Sequence, residues 1–146
     1  MLINLLLGLP LMAVCLVIQA MLIAWGLAYY LGHVSQATEF GRWGSVGGLV
    51  AVMVMLVLGN LAQVVVWAGL FYALGEFQQF SDATYHSGVN FTSLGYGDIV
   101  MSEKYRVLGP IEAINGVLMI GVSTAVLMST IQDVLKKRIA ARFRDG

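Results

Sequence analysis

Seven residues, Thr92-Ser93-Leu94-Gly95-Tyr96-Gly97-Asp98, are the part of this sequence whose types and spacing point to chemistry. Gly95 and Gly97 alternate with Leu94 and Tyr96. Along an ordinary strand, successive carbonyls face opposite sides. To face them all one way, the backbone must alternate between right- and left-handed conformations. The left-handed ones are cheap for glycine and costly for a residue with a Cβ. The alternation therefore predicts a short stack of carbonyl oxygens that can replace the hydration shell of a bare cation. The Ser93 hydroxyl adds a further oxygen at the inner end of that stack. Other chemistries find no support in the residues. No nucleophile is paired with a base, no phosphate-binding glycine loop occurs, and Cys15, the sole cysteine, has no metal-ligand spacing around it. The expected chemistry is ion coordination, not enzymatic catalysis, and no cofactor is implied.

Such a loop needs a support, and the residues just before it supply one. Residues 81–92 read SDATYHSGVNFT. Ser81 is a candidate N-cap and Asp82 suits the first turn of a helix. Tyr85, Gly88, Val89 and Thr92 then fall on one face at helical spacing. About three turns fit, roughly half the length needed to cross a bilayer. A half-helix running into extended chain at membrane depth is tolerated only where protein buries it or where it lines a watery cavity. The segment reads as re-entrant, with the negative C-terminal end of its helix aimed at the ion path. His86 offers a pH-sensing group, but a packed pore-helix histidine is the expected reading.

Membrane spans flank this segment. Of the 146 residues, 59% are hydrophobic and 11% charged, against about a quarter charged in soluble domains. No charged side chain precedes Glu39, none lies between Arg42 and Glu76, and only Glu112 lies between Arg106 and Asp133. Each window can hold the roughly 20 apolar residues of a span. The spans are expected near residues 4–31, 46–73 and 109–133, giving an all-α membrane protein with a re-entrant helix. The start lacks the basic region of a signal peptide. Pro10 marks a kink or a first turn. Lys136, Lys137, Arg138, Arg142 and Arg144 crowd the end of the sequence, so the C-terminus is expected to be cytoplasmic and the N-terminus outside. Residues 32–45 then lie inside and 74–108 outside. Aromatics near the expected interfaces, among them Trp25, Tyr29, Trp43, Trp67 and Tyr72, agree with this. The basic tail suits anionic lipid. Zero net charge gives no argument for nucleic acid. No arginine ladder marks a voltage sensor.

The stretch TSLGYGD is similar to the filter signature of the potassium-channel pore-domain family, TVGYG. The resemblance runs from about Ser81 to Ser129. It implies that carbonyls of Ser93, Leu94, Gly95 and Tyr96, with the Ser93 hydroxyl, bind K+ within a filter at 93–97 that Gly97 completes. It also implies support from Thr92, Asp98, Val89 and Tyr85. Asp98 would hydrogen-bond behind the filter, and the Tyr96 side chain would pack outward against the pore helix. Gly116 and Gly121 match hinge glycines of the inner helix, and Arg106 matches an arginine common there. One chain supplies one filter strand, so the resemblance implies a homotetramer. The pore domain is then 46–135, with outer helix 46–73, pore helix 81–92 and inner helix 109–133. Residues 1–45 form an extra span and loop, with that span on the lipid-facing periphery, and 136–146 a short basic cytoplasmic tail. The sequence departs from the signature at Leu94, at Ser93, which stands for threonine, and at Met101, which stands where proline often follows. Val89 stands where some members carry glutamate.

Other residues have two readings each. From Gly121, Thr124, Ala125 and Met128 share a face that lines either the cavity or the contact with span two. Glu112 is either an ion-path residue or a structural carboxylate bonded to the pore helix or Asn115. Asn60 and Gln63 read as interhelical glue, and Gly44 with Gly48 as a small-residue contact. The sequence as a whole points to a passive potassium channel; its rivals are a weakly selective channel that also passes Na+, and a non-conducting regulatory subunit. Compactness and the lack of sorting signals suggest a prokaryotic inner membrane.

Overall fold

The computed structural model describes residues 1–30, 32 and 42–144. Four helices follow in chain order: α1 (Leu2–Tyr29), α2 (Arg42–Ala73), α3 (Phe80–Phe91) and α4 (Leu108–Arg144). No strand occurs among the described residues. Three stretches are long and apolar enough to cross a membrane: Leu2–Tyr29, Val46–Ala73 and Leu108–Lys136. The 12 residues of α3 span about 18 Å, too short to cross. α3 packs against α2 and α4, and α1 packs against the same two helices. Their shared core takes Cys15 from α1, Trp67 and Phe71 from α2, Ala83 from α3, and Leu108 and Ile111 from α4.

The boundaries differ from expectation in physically readable ways. α4 does not end near residue 133 but continues unbroken to Arg144. The stretch VLKKRIAARFR contains neither glycine nor proline, so nothing stops the helix. Residues 136–144 are therefore a helical extension, not a separate tail. Pro10 lies well inside α1, not in its first turn, whereas Pro110 does sit in the first turn of α4, where its missing N–H costs nothing. α3 begins at Phe80, with Gln79 as a cap residue that makes no side-chain cap bond. Ser81 is thus inside the helix and not its cap; its hydroxyl turns to Gln79 Oε1 at 3.4 Å. Most of the loop expected at 32–45, the placements of Trp43 and Gly44, and the side chains of Lys137, Arg138, Arg142 and Arg144 lie outside the described residues.

α1 inverts the usual pattern of an amphipathic helix. Its buried residues are Asn4, Gly8, Cys15, Gln19 and Gly26, a single stripe of small and polar residues. Leu2, Leu6, Leu9, Val17 and Met21 point outward. In lipid this is the stable arrangement, because only protein offers the polar groups a partner. Most of α1 is exposed in the single chain, but its stripe is bonded into the bundle. Asn4 Nδ2 donates to the Lys104 carbonyl at 2.9 Å, next to the loop that follows the filter segment. Gln19 Nε2 donates to Ser123 Oγ at 3.0 Å. At the far end the Tyr30 hydroxyl donates to Asp133 Oδ2 at 3.0 Å.

The two glycines singled out in α4 have different surroundings. A Cβ at Gly116 would lie 1.9 Å from the Phe91 carbonyl oxygen, whereas at Gly121 nothing lies within 4 Å. Gly116 therefore lets the end of α3 rest directly on α4. Gly116→Ala is expected to destabilise the fold by about 1–3 kcal/mol through overpacking. Gly121→Ala is expected to leave stability unchanged or slightly raised, since alanine favours helix. Thermal unfolding midpoints in detergent check the contrast.

Candidate functional site

The site is built around the C-terminal turn of α3. Thr92 closes that helix in right-handed geometry, and its hydroxyl donates back to the Gly88 carbonyl at 2.7 Å. The Ser93 N–H donates to Asn90 O at 2.8 Å, and the Leu94 N–H to Val89 O at 2.9 Å. The Gly95 N–H also reaches Val89 O, at 3.4 Å. The amides of Ser93, Leu94 and Gly95 are thus spent on the helix behind them. Their carbonyls form no part of that bonding.

Backbone handedness alternates along the segment. Gly95 and Gly97 have φ of 64° and 72°, and Ser93 has φ of 57°. Leu94 and Tyr96 do not share the positive sign. Glycine alternation anticipates two of these three positions. Ser93 was not anticipated, because a residue with a Cβ costs about 1–2 kcal/mol in the left-handed region. It is the only non-glycine with positive φ among the described residues. Residues 92–98 are all exposed in the single chain. Tyr96 is 67% exposed, so little of its ring is covered by α3 of the same chain.

The chain beyond the glycines is clasped at three points. The Tyr85 hydroxyl donates to Asp98 Oδ2 at 2.8 Å. That bond holds the Asp98 carboxyl below the usual carboxylate range. His86 Nδ1 lies 2.9 Å from the Ile99 carbonyl and therefore carries the hydrogen, which leaves Nε2 to accept from Asn90 Nδ2, also at 2.9 Å. The ring sits between Phe71 and Phe77, with centroids 5.6 and 5.1 Å away. Burial there pulls its pKa below the ordinary histidine value. The third clasp comes from α2. Gly75, at φ 74°, ends that helix with bonds from Gly75 N to Tyr72 O and from Glu76 N to Phe71 O, a Schellman pattern. It delivers the Glu76 carboxylate to Ser102, whose N–H and hydroxyl donate at 2.6 and 2.7 Å. The sequence reading did not include Glu76; its signal was the glycine just before it.

The remaining residues divide between two faces of α4. Glu112 is wholly buried, and the Ser87 hydroxyl of α3 contacts its Oε1. It thus faces α3. Asn115 and Met119 are buried on the same side of α4. Gly121, Thr124, Ala125 and Met128 are exposed, so this face does not pack on α2. Ser93 joins Ala113, Ile114, Val117 and Leu118 of the exposed face around a hollow of about 470 Å³. Val89 is buried and contributes its carbonyl to the filter segment. Arg106 lines a smaller hollow of about 180 Å³ behind that segment, with His86 and Asn90.

Two titrations make the clasp sensitive to acid. The lowered Asp98 pKa contributes stability that is present above the ordinary carboxylate range and lost as pH falls through the folded value. The lowered His86 pKa contributes stability that is present above its ordinary value of about 6.5 and declines as pH falls below it. Tyr85→Phe is expected to raise the Asp98 pKa toward its ordinary value. The carboxylate step in amide-exchange protection at residues 95–99 should then move to higher pH, while the histidine step stays.

Comparison with known proteins agrees with this arrangement. A family model described as "Ion channel" matches residues 59–133, half of the chain. The match takes in the later part of α2, all of α3, the filter segment and α4 as far as Asp133. No curated protein and no solved structure is matched by the chain. With three membrane-crossing stretches and a short helix that presents an alternating loop, the chain belongs to the ion-channel family and is an integral membrane protein through which ions pass.

Proposed function

We propose that the chain is one subunit of a homotetrameric, potassium-selective channel that conducts passively. The observation that carries this reading is the alternation of φ at Ser93, Gly95 and Gly97 within TSLGYGD. Alternating handedness is what a one-sided row of carbonyls requires, and four such rows surround a dehydrated cation. Carbonyls of Ser93, Leu94, Gly95 and Tyr96 would hold K+, with the Ser93 hydroxyl at the inner end. Ions queued between carbonyl rings displace one another along the path. No cofactor takes part. The C-terminal end of α3 adds its partial negative charge behind the ions. The exposed ring of Tyr96 suits contact with a neighbouring copy. Gly121, Thr124, Ala125 and Met128 line the path below the filter, with Gly121 the freer of the two candidate hinges. The C-terminus faces the cytoplasm, the filter opens outward, and the basic end of α4 meets anionic lipid in a prokaryotic inner membrane.

A weakly selective channel that also admits Na+ is the second reading. Ser93 favours it, since serine lacks the threonine methyl beside the innermost site and holds strained backbone there. Reversal potentials in planar bilayers, with K+ on one side and Na+ on the other, separate the two. A value near the K+ equilibrium potential, abolished by Gly95→Ala, is the expected result. Reversal near zero would establish the weakly selective pore. A confirmed tetramer without current under any condition would overturn both in favour of a non-conducting subunit.

A further inference from the structure

A continuous series of hydrogen bonds leaves α4 and returns to it through both other spans. Asn115 Nδ2 donates to Gln63 Oε1 at 3.5 Å, the longest link. Gln63 Nε2 donates to Gln19 Oε1 at 2.8 Å. Gln19 Nε2 donates to Ser123 Oγ at 3.0 Å, and Ser123 donates to the Met119 carbonyl at 2.9 Å. Asn60 Nδ2 also reaches Ser123 Oγ, at 3.3 Å. The serine hydroxyl therefore gives its one hydrogen and accepts two, its full capacity. Gln19, Gln63, Asn115 and Ser123 are all buried, at 9% exposure or less.

The two attachment points on α4 are Asn115 and Ser123, about 12 Å apart along the axis. Gly116 and Gly121 both lie between them. Gly116 is pinned by the Phe91 carbonyl, but Gly121 has open space around it. Bending α4 at Gly121 would carry Ser123 away from Gln19, and the hydrocarbon around the bundle offers neither side chain a replacement partner.

We propose that Gln19 is a positioning residue, the keystone of a hydrogen-bonded splint by which α1 holds α4 straight across its glycines. The extra span is then a restraint built into the pore domain and not an anchor alone. The bearing of the splint on conduction rests on α4 lining the ion path; the splint itself does not.

Electron–electron distance measurements test it without current. Nitroxides are placed through Leu61→Cys with Leu135→Cys, and separately through Leu61→Cys with Glu103→Cys. All three positions are exposed, and the buried Cys15 stays in place. Labelled protein is diluted into unlabelled protein so that distances are intrachain. Leu135 lies about 21 Å beyond Gly121, so a 20° bend moves it by about 7 Å. Gln19→Leu is expected to shift or broaden the Leu135 distance by several ångströms, up to about 7 Å, while the Glu103 distance stays. Ser123→Ala should reproduce the effect, and the double variant should add nothing. Ser123→Thr, which keeps the hydroxyl, should restore the native distance. If Gln19→Leu does not assemble, Ser123→Ala carries the test alone. An unchanged Leu135 distance, equal changes at both positions, or additive effects would overturn the splint. A silent or unselective pore would refute the function proposed above and leave these distances unaffected.

Discussion

Hydrocarbon offers no hydrogen-bond partner, and the arrangement of this protein follows from that constraint. A polar side chain at membrane depth can find a partner only inside the bundle, and most of the buried ones make at least one such bond. In α1 this turns the helix inside out, with Asn4 and Gln19 inward and the leucines outward. The same pressure puts Gln63 and Asn115 between helices and seats Glu112 against Ser87. The amides of Ser93, Leu94 and Gly95, which follow directly on a helix end, are absorbed by the last turn of α3, and the carbonyls of these residues take no part in that bonding.

The support behind residues 93–99 is as specific as the alternating backbone itself. Val89 acts through its carbonyl, which serves two successive amides. Tyr85 and His86, adjacent on α3, hold adjacent residues Asp98 and Ile99. Glu76 holds Ser102 a few residues further on. These contacts come from α3 and the end of α2, so the geometry of residues 93–102 depends on how the two helices sit together. Trp67 and Phe71, wholly buried, fix that packing from the α2 side.

Much of this is legible in the sequence. Long charge-free windows give the spans, because length and apolarity alone decide whether a helix can cross. The glycine alternation gives the handedness at 95 and 97, because a Cβ makes the left-handed region costly. The same rule hides Ser93, which adopts the left-handed region with its amide bonded to the Asn90 carbonyl. Ser81 misleads as a cap because it lies two positions past the capping site at Gln79. The role of α1 is hidden by uniform apolarity: a stripe of Asn4, Gly8, Cys15, Gln19 and Gly26 is regular, but hydropathy does not distinguish a face that meets protein from one that meets lipid. The extent of α4 past Asp133 is hidden by charge, which marks the end of a span and not the end of a helix.

The contact between Gly116 and the Phe91 carbonyl has a genetic consequence. Any missense change in a glycine codon introduces a Cβ. At residue 116 that carbon meets backbone, which cannot rotate aside as a side chain would. No first mutational step away from glycine is therefore available there without a compensating shift of α3. Gly121 is under no such restriction within the chain. The two glycines, five residues apart in one helix, are open to drift to very different degrees, and glycine at 116 marks a distance between two helices more than a need to bend.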